Sequence, residues 1–480
     1  MKNDAEWVLD IYSINDFHGV IEDVIWETSS EEAHKNQGVL MYSELINCIN
    51  KSENTLVLSA GDMFESPSFG MEVPGLLTVE LLNLVKCKAM AIGNHEFDWI
   101  PHDEDFFINL KKRLDCKFLS ANLIDKRTGI NPKSIEKSII VKVKDTHIGI
   151  IGLTTRSCKS ICLENEFKNY DVTNAIVSLE KEIQSLKKQG INIIILLAHC
   201  DASRSKEDTS LKGELVDILK HFDSTMLQGA IAAHGHELTA GTVNGIPVVQ
   251  AGSYGNGLGK IEVSIKNDKV VDLKAEYIDI EKDSMKIHEK IKGILIEHRN
   301  KYKRTAKKIG FSQICLKVES ESESFWGEYI AKVMAYSVSA SIGMINVGAI
   351  RTTIIKGDIL DIHIKMNLPF ENKIISMELL GEKIVDILKQ SYEKGYGIMQ
   401  TYGISSDKTF DKNGIHISNL RDHKGKLIKL NEYYSVAVTD FMLESIDFKD
   451  EFINAVSIID SNILIRDAVL EYINKNKYIV

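Results

Sequence analysis

The chain is short of cysteine. It has seven in 480 residues, an odd number at irregular spacing, which excludes the paired framework that staples small secreted domains. Cys158 and Cys162 have the spacing of a metal pair, but no second Cys/His pair lies near them, so they read as free thiols in or near a loop. Cys200 reads as a packing residue at a strand end. Positive charge is also scarce. Lys and Arg number 58 against 68 Asp and Glu, a net charge of −10, and a chain without a basic face is a poor partner for nucleic-acid backbone or anionic membrane. No apolar run is long enough to span a bilayer. The first residues, MKNDAEWVLDIYSINDF, carry charges but neither an apolar h-region nor a small-residue cleavage site. No repeat or low-complexity segment stands out. The expectation is a reduced, cytoplasmic protein with no nucleic-acid and no membrane partner. A small anionic substrate stays open, because bound divalent cations can dominate the local field.

At 480 residues and 44% hydrophobic, the chain has material for two domains with sizeable cores. From Trp7 to Ile280, apolar strand-like runs alternate with LLTVELLNLV, IVSLEKEIQSLKKQG and ELVDILKHF, which have helical periodicity. That is a layered α/β pattern. GIPVVQAGSYGNGLGKIEVSI reads as antiparallel strands closing the domain. A helix is expected from about Asp283 or Ser284, either of which could cap it, and its basic end RNKYKRTAKK suits a helix C-terminus. A second α/β unit follows, with a helix near Phe325–Ser339, a strand in GMINVGAI, a strand and helix in IISMELLGEKIVDILKQSYEKG, and a strand in YYSVAVTDFML. The expected division is 1–282, a connecting helix over 283–308, and 309–480.

Five polar clusters punctuate the first half: Asp16-Phe17-His18, Gly61-Asp62, Gly93-Asn94-His95-Glu96, Ala198-His199 and His234-Gly235-His236. Each follows an apolar run that reads as a buried strand, so each sits where a strand gives way to a loop, the place where open α/β sheets put their sites. One Asp-x-His is usually a surface loop and one Gly-Asp an ordinary turn. Five such clusters in series match the ligands of a two-metal hydrolase.

Two cations roughly 3.5–4 Å apart can activate a hydroxide and stabilise the displaced oxygen of a phosphate ester. Such a centre needs one carboxylate that bridges the ions, and Asp62 is the candidate. Asp16, His18 and His236 would complete one site; Asn94, His199 and His234 would complete the other. His95 follows a ligand and points into the same cavity, and Asp98, three residues on, could hydrogen-bond it. His95 then serves as general acid or as a charge clamp on the phosphoryl group. Glu96 could ligate in principle; a supporting or capping role is favoured. The mixed His/Asp/Asn set suits Mn²⁺, Zn²⁺, Fe²⁺ or Co²⁺.

With these residues the chain resembles the calcineurin-like metallophosphoesterases. NDFHG, GNHEFD, LSANL, IGLTT and AGSYG narrow the resemblance to the 5′-nucleotidase and UDP-sugar hydrolase family, as do Asn346–Arg351, Leu368–Asn372 and Val438–Phe441 further on. The resemblance covers nearly the whole chain. It implies an α/β (α+β) fold: a four-layer α/β/β/α sandwich holding two metals, then a substrate-binding domain. It also implies that Arg351 pairs with a substrate phosphate, that Asn346 positions nearby polar groups, and that Phe370 and Phe441 sandwich a base. Of the glycine-rich run that usually follows the final phenylalanine, only Asp447 matches. A further arginine is usual before the helix that opens the second domain, but KVESESESFWGEY has none. The expected activity is hydrolysis of nucleotide phosphate esters by a metal-bridging hydroxide. The alternatives are a UDP-sugar or cyclic-nucleotide hydrolase, or a nucleotide-binding protein with reduced turnover.

Overall fold

The structure is a computed structural model. It describes residues 6–19, 37–64, 75–99, 105–280 and 286–479, apart from 163, 206, 208–209, 268, 303–305, 318, 320–321, 352, 355, 394–397, 412–413 and 446–447. The chain divides between Lys301 and Tyr302 into two compact units.

The first unit is built on two sheets. One has the order Lys269–Asp279, Gly257–Lys266, Trp7–Ile14, Thr55–Ser59, Ala89–Ala91, Lys117–Leu119 and Ile135–Glu136. From Trp7–Ile14 onward its strands run parallel, while Gly257–Lys266 is antiparallel to both its neighbours. The other has the order Leu238–Val243, Ile246–Ala251, Gly229–Ala232, Ile193–His199, Thr146–Thr154 and Ser138–Val143. Its four inner strands are parallel.

Alternate side chains of each strand point to opposite faces, and that rule assembles the layers. Ile193, Ile195 and Leu197 join Leu9, Ile11, Leu56 and Leu58 of the facing sheet in one core between the sheets. Ile194, Leu196 and Ala198 point the other way, onto Leu179, Ile183 and Leu186 of the helix Ala175–Lys188 and onto Leu215 and Leu219. A strand buried on both faces reads as an unbroken apolar run, as INIIILLA does. Parallel neighbours need crossovers. Since the inner face of the first sheet is already covered, the crossover helix Leu76–Leu84, between Thr55–Ser59 and Ala89–Ala91, belongs on the outer one. The result is α/β/β/α.

The stretch 245–265 keeps the expected antiparallel pairings, with Leu238–Val243 for its first strand and with Trp7–Ile14 and Lys269–Asp279 for its second, but the two strands do not pair with each other. Ile246–Ala251 pairs parallel with Gly229–Ala232 in one sheet, whereas Gly257–Lys266 enters the other. The bend at Gly252 (φ 70°) to Gly255 (φ 77°) carries the chain across. The helix Glu289–Tyr302 begins after the expected caps, and Asp283 and Ser284 lie outside the described residues.

The second unit has a sheet ordered Gln400–Tyr402, Ile342–Ile345, Tyr433–Thr439, Lys373–Leu380 and Val456–Leu464. Ile345, Ile374 and Ala437 pack under Trp326 and Ile330 of the helix Phe325–Ser337. Met344, Met377, Val436 and Val438 pack with Ile384 and Ile387. YYSVAVTDFML is a strand only to Thr439. There the threonine hydroxyl accepts from the Met442 amide at 3.1 Å and caps a short helix, Asp440–Glu444, which carries Phe441.

Ile195 has no exposed surface and lies between the two sheets of the first unit. Ile195→Ala should cost that unit about 2–5 kcal/mol, read from the midpoint of its urea transition.

Candidate metal centre

In both sheets the parallel strands place their C-terminal ends at one edge. Ile14 pairs with Ser59, and Ser59 with Met90. The loops beyond hold one another: the Asp16 amide donates to Gly61 O at 3.0 Å, His18 to Asp62 O at 3.0 Å and Gly19 to Met63 O at 3.1 Å. Asp16 (φ 46°), His18 (52°), Asp62 (51°), His234 (74°) and His236 (58°) all have left-handed backbones. Such conformations cost of order 1–3 kcal/mol each and persist only where the surroundings over-determine them.

Glu96 supplies much of that over-determination. Its buried carboxylate accepts from the amides of Gly93 at 2.7 Å, Met63 at 2.8 Å, Asp62 at 3.0 Å and Phe64 at 3.4 Å. Burial and the nearby Asp62 charge push the Glu96 carboxyl up to about 7, against the pull of His199 and these amides. Gly93 is required by contact, because a Cβ there would collide with the Asp62 carboxylate.

The expected ligands converge. His18 Nε2 and His236 Nε2 are 3.1 Å apart, and Asp16 Oδ1 is 3.6 Å from His236 Nε2. His199 Nε2 lies 3.2 Å from both Asp62 Oδ2 and Asn94 Oδ1, and the His234 ring centroid is 5.2 Å from that of His199. Three overlapping sets have donor atoms mutually within 4.8 Å: Asp16, His18 and His236; His18, Asp62 and His95; and Asp62, His199 and His234. Asp62 belongs to two of them. His95 therefore stands closer to the ligand atoms than its expected non-ligand role required. Its Nδ1 is 2.8 Å from Asp98 Oδ2, and its amide donates to Asp62 Oδ1 at 2.9 Å.

The electrostatics suit cations. Burial would raise the Asp62 carboxyl, but His199 and His95 outweigh it and hold it well below its usual range. Burial would lower the His199 imidazole, but Asp62 drives it up to about 10. Burial, reinforced by the Asp62 charge, pushes Asp16 up to about 7. Burial first, and the neighbouring His199 second, bring His234 down to about 4. Asp62 thus keeps its charge against His199 and His95, while burial works against a charge on Asp16. His199 donates Nδ1–H to Ala60 O at 2.9 Å, which leaves Nε2 facing Asp62 as a ligand atom. Mixed imidazole, carboxylate and amide donors fit borderline divalent ions.

Some supporting residues escaped sequence reasoning. Asn15 donates to Asp16 Oδ2 at 2.6 Å and is itself held by Gly252 O and the Ala251 amide. The Tyr254 ring lies 5.0 Å from the His18 ring, tilted by 34°, and its amide donates to Asp16 O at 2.8 Å. Tyr254 lay within AGSYG and Asn15 within NDFHG, so the signal of each was present in the sequence.

In the second unit, Arg351 lies over the half-buried Phe370 ring at 5.8 Å and donates to Gly348 O at 3.3 Å. Asn346 Oδ1 is buried and accepts no hydrogen bond among the described residues. Asn372 donates to Asp440 Oδ1 at 3.2 Å, tying the Phe370 loop to the helix that carries Phe441. Asp447 lies outside the described residues.

Comparison with known proteins agrees with this geometry. Residues 9–238 match the calcineurin-like phosphoesterase family model, and residues 304–450 match that of the 5′-nucleotidase C-terminal domain. Among curated proteins, the chain is 27% identical to Endonuclease YhcR of Bacillus subtilis (strain 168), over 90% of this chain and 37% of that protein. It is 24% identical to an apyrase of Anopheles gambiae, over 99% of this chain and 89% of that one. The chain therefore spans little more than a third of the first relative but most of the second. Among solved structures, a 5′-nucleotidase precursor from Thermus thermophilus shares the fold with a TM-score of 0.75 at 22% identity, over 99% and 97% of the two chains.

Asp62 belongs to two candidate donor sets; if each holds a cation, Asp62→Asn should lose both. Elemental analysis finding two retained ions per chain would contradict its bridging position.

Proposed function

For a chain that belongs to the calcineurin-like phosphoesterases and carries a 5′-nucleotidase C-terminal domain, we propose hydrolysis of nucleotide phosphate esters at a centre of two divalent cations. Its family is one of metal-dependent phosphoric ester hydrolases. The observation that carries the two-cation reading is the membership of buried Asp62 in two overlapping donor sets. Asp16, His18 and His236 would hold one ion, Asn94, His199 and His234 the other, and Asp62 both. Bound there, the cations would supply an activated water and neutralise phosphoryl charge.

The chain's own residues supply the rest. His95 is one-quarter exposed, with Nδ1 turned to Asp98. We assign Nε2 the role of stabilising a phosphoryl oxygen or protonating the leaving oxygen. The second unit would bind the nucleotide. Arg351 offers a guanidinium for phosphate, Asn346 Oδ1 an acceptor for a substrate N–H or O–H, and Phe370 and Phe441 apolar faces for a base.

One feature favours a second reading, a diester or nucleotide-sugar substrate. In the stretch that has no arginine, Glu323 takes an ion pair from Lys408 Nζ at 2.8 Å. A carboxylate there does not clamp a terminal phosphate. A panel of nucleoside monophosphates, UDP-sugars and cyclic nucleotides, assayed for product with Mn²⁺, separates the two readings. Chelation should abolish turnover and Mn²⁺ or Co²⁺ restore it; full turnover in the fully demetallated protein would overturn the metal reading.

His95→Asn should leave the metal content intact and lower kcat by roughly 10²–10⁴-fold. A parallel loss of metal would make His95 a ligand. Arg351→Ala should raise KM for nucleotides with a smaller effect on a simple aryl phosphate; equal losses on both would make it structural.

A further inference from the structure

His234 has a neighbour outside the candidate ligand set. Its Nε2 is 3.2 Å from Ser157 Oγ, across 77 residues of sequence. Ser157 Oγ is 2.8 Å from Thr155 Oγ1, and Thr155 Oγ1 is 2.6 Å from Glu214 Oε2. Thr155 is fully buried, and the Glu214 side chain is 13% exposed.

The direction of this chain follows from counting protons. The Glu214 carboxylate only accepts, and it also receives the Arg156 amide at 3.1 Å, with Arg156 Nε 3.7 Å away. Thr155 must therefore give its one hydroxyl proton to Glu214. Its oxygen then accepts, and the Ser157 amide already donates to it at 3.1 Å. Ser157 must spend its own proton on Thr155. The Ser157 oxygen is left to accept from His234, so the His234 proton sits on Nε2 and the lone pair on Nδ1.

We propose that Glu214, Thr155 and Ser157 form a directional hydrogen-bond relay that sets the His234 tautomer, making Nδ1 the metal-ligating nitrogen. They are positioning residues and touch neither substrate nor cation. His199 shows the mirror arrangement, with Nδ1–H on Ala60 O and Nε2 facing Asp62. A partner on the far nitrogen fixes ring orientation and basicity, and its loss usually weakens metal affinity 10–100-fold. The inference rests on the two-cation reading above.

The test uses the whole chain. Calorimetric titration of the metal-free protein with Mn²⁺ should resolve two sites in the parent. Ser157→Ala and Thr155→Val should each weaken one of them by about 10–100-fold, with circular dichroism confirming the fold. Long-range ¹⁵N–¹H spectra of the metal-free, histidine-labelled protein should place the His234 proton on Nε2. In Thr155→Val, Ser157 is released to donate, and the proton should shift toward Nδ1. Parental affinity at both sites in both variants, or a parental proton on Nδ1, would overturn the relay and leave the metal centre standing. A parent that binds no divalent cation would overturn both.

Discussion

The buried carboxylate of Glu96 is the constraint on which the centre depends. An ionisable group without exposed surface is costly unless its oxygens are saturated. Glu96 meets that demand with amides from two loops, 61–64 and 93. Those loops carry Asp62, Asn94 and His95. The bracing therefore sets the candidate bridging carboxylate, a candidate amide ligand and the candidate acid in one step. It also holds Asp62 in a left-handed backbone that it would leave in isolation. On the facing side Asn15 does the same for Asp16.

The ligands are graded in exposure. Asp62 and His199 are buried, while the His236 side chain is 40% exposed. His95, one-quarter exposed, belongs to the open side. The charged, water-excluding part of the centre thus lies deep, where electrostatic interactions are strongest, and His95, the candidate acid, lies toward solvent. The two sheets make this possible because their strands are buried on both faces up to the last residue before each loop.

The second unit follows a different logic. Its sheet is packed on both faces, and its candidate ligand groups sit in the turns after strands: Asn346 and Arg351 after Ile342–Ile345, and Phe441 on the helix capped by Thr439. There the role we propose is recognition. A cation lies over an aromatic ring, and a buried carbonyl oxygen has no hydrogen-bond donor among the described residues.

The strands before Asp16, Asp62, Asn94, His199 and His234 were legible because apolar runs and the polar residues after them are local properties of the chain. So were the ligand types, since imidazole, carboxylate and amide carry their chemistry wherever they stand. The end of the strand at Thr439 was not legible: a threonine caps or extends according to which amide reaches it, and YYSVAVTDFML suits both. Nor could sequence show that Ile246–Ala251 and Gly257–Lys266 part into different sheets, because that depends on a bend between them. By itself the sequence determined which atoms could bind a cation. Only the tertiary structure decided how they are aimed. Glu96 meets amides some thirty residues away, and His234 meets Ser157 across seventy-seven. Ring orientation, proton position and left-handed backbone are set by such partners, which become neighbours only when the sheets close.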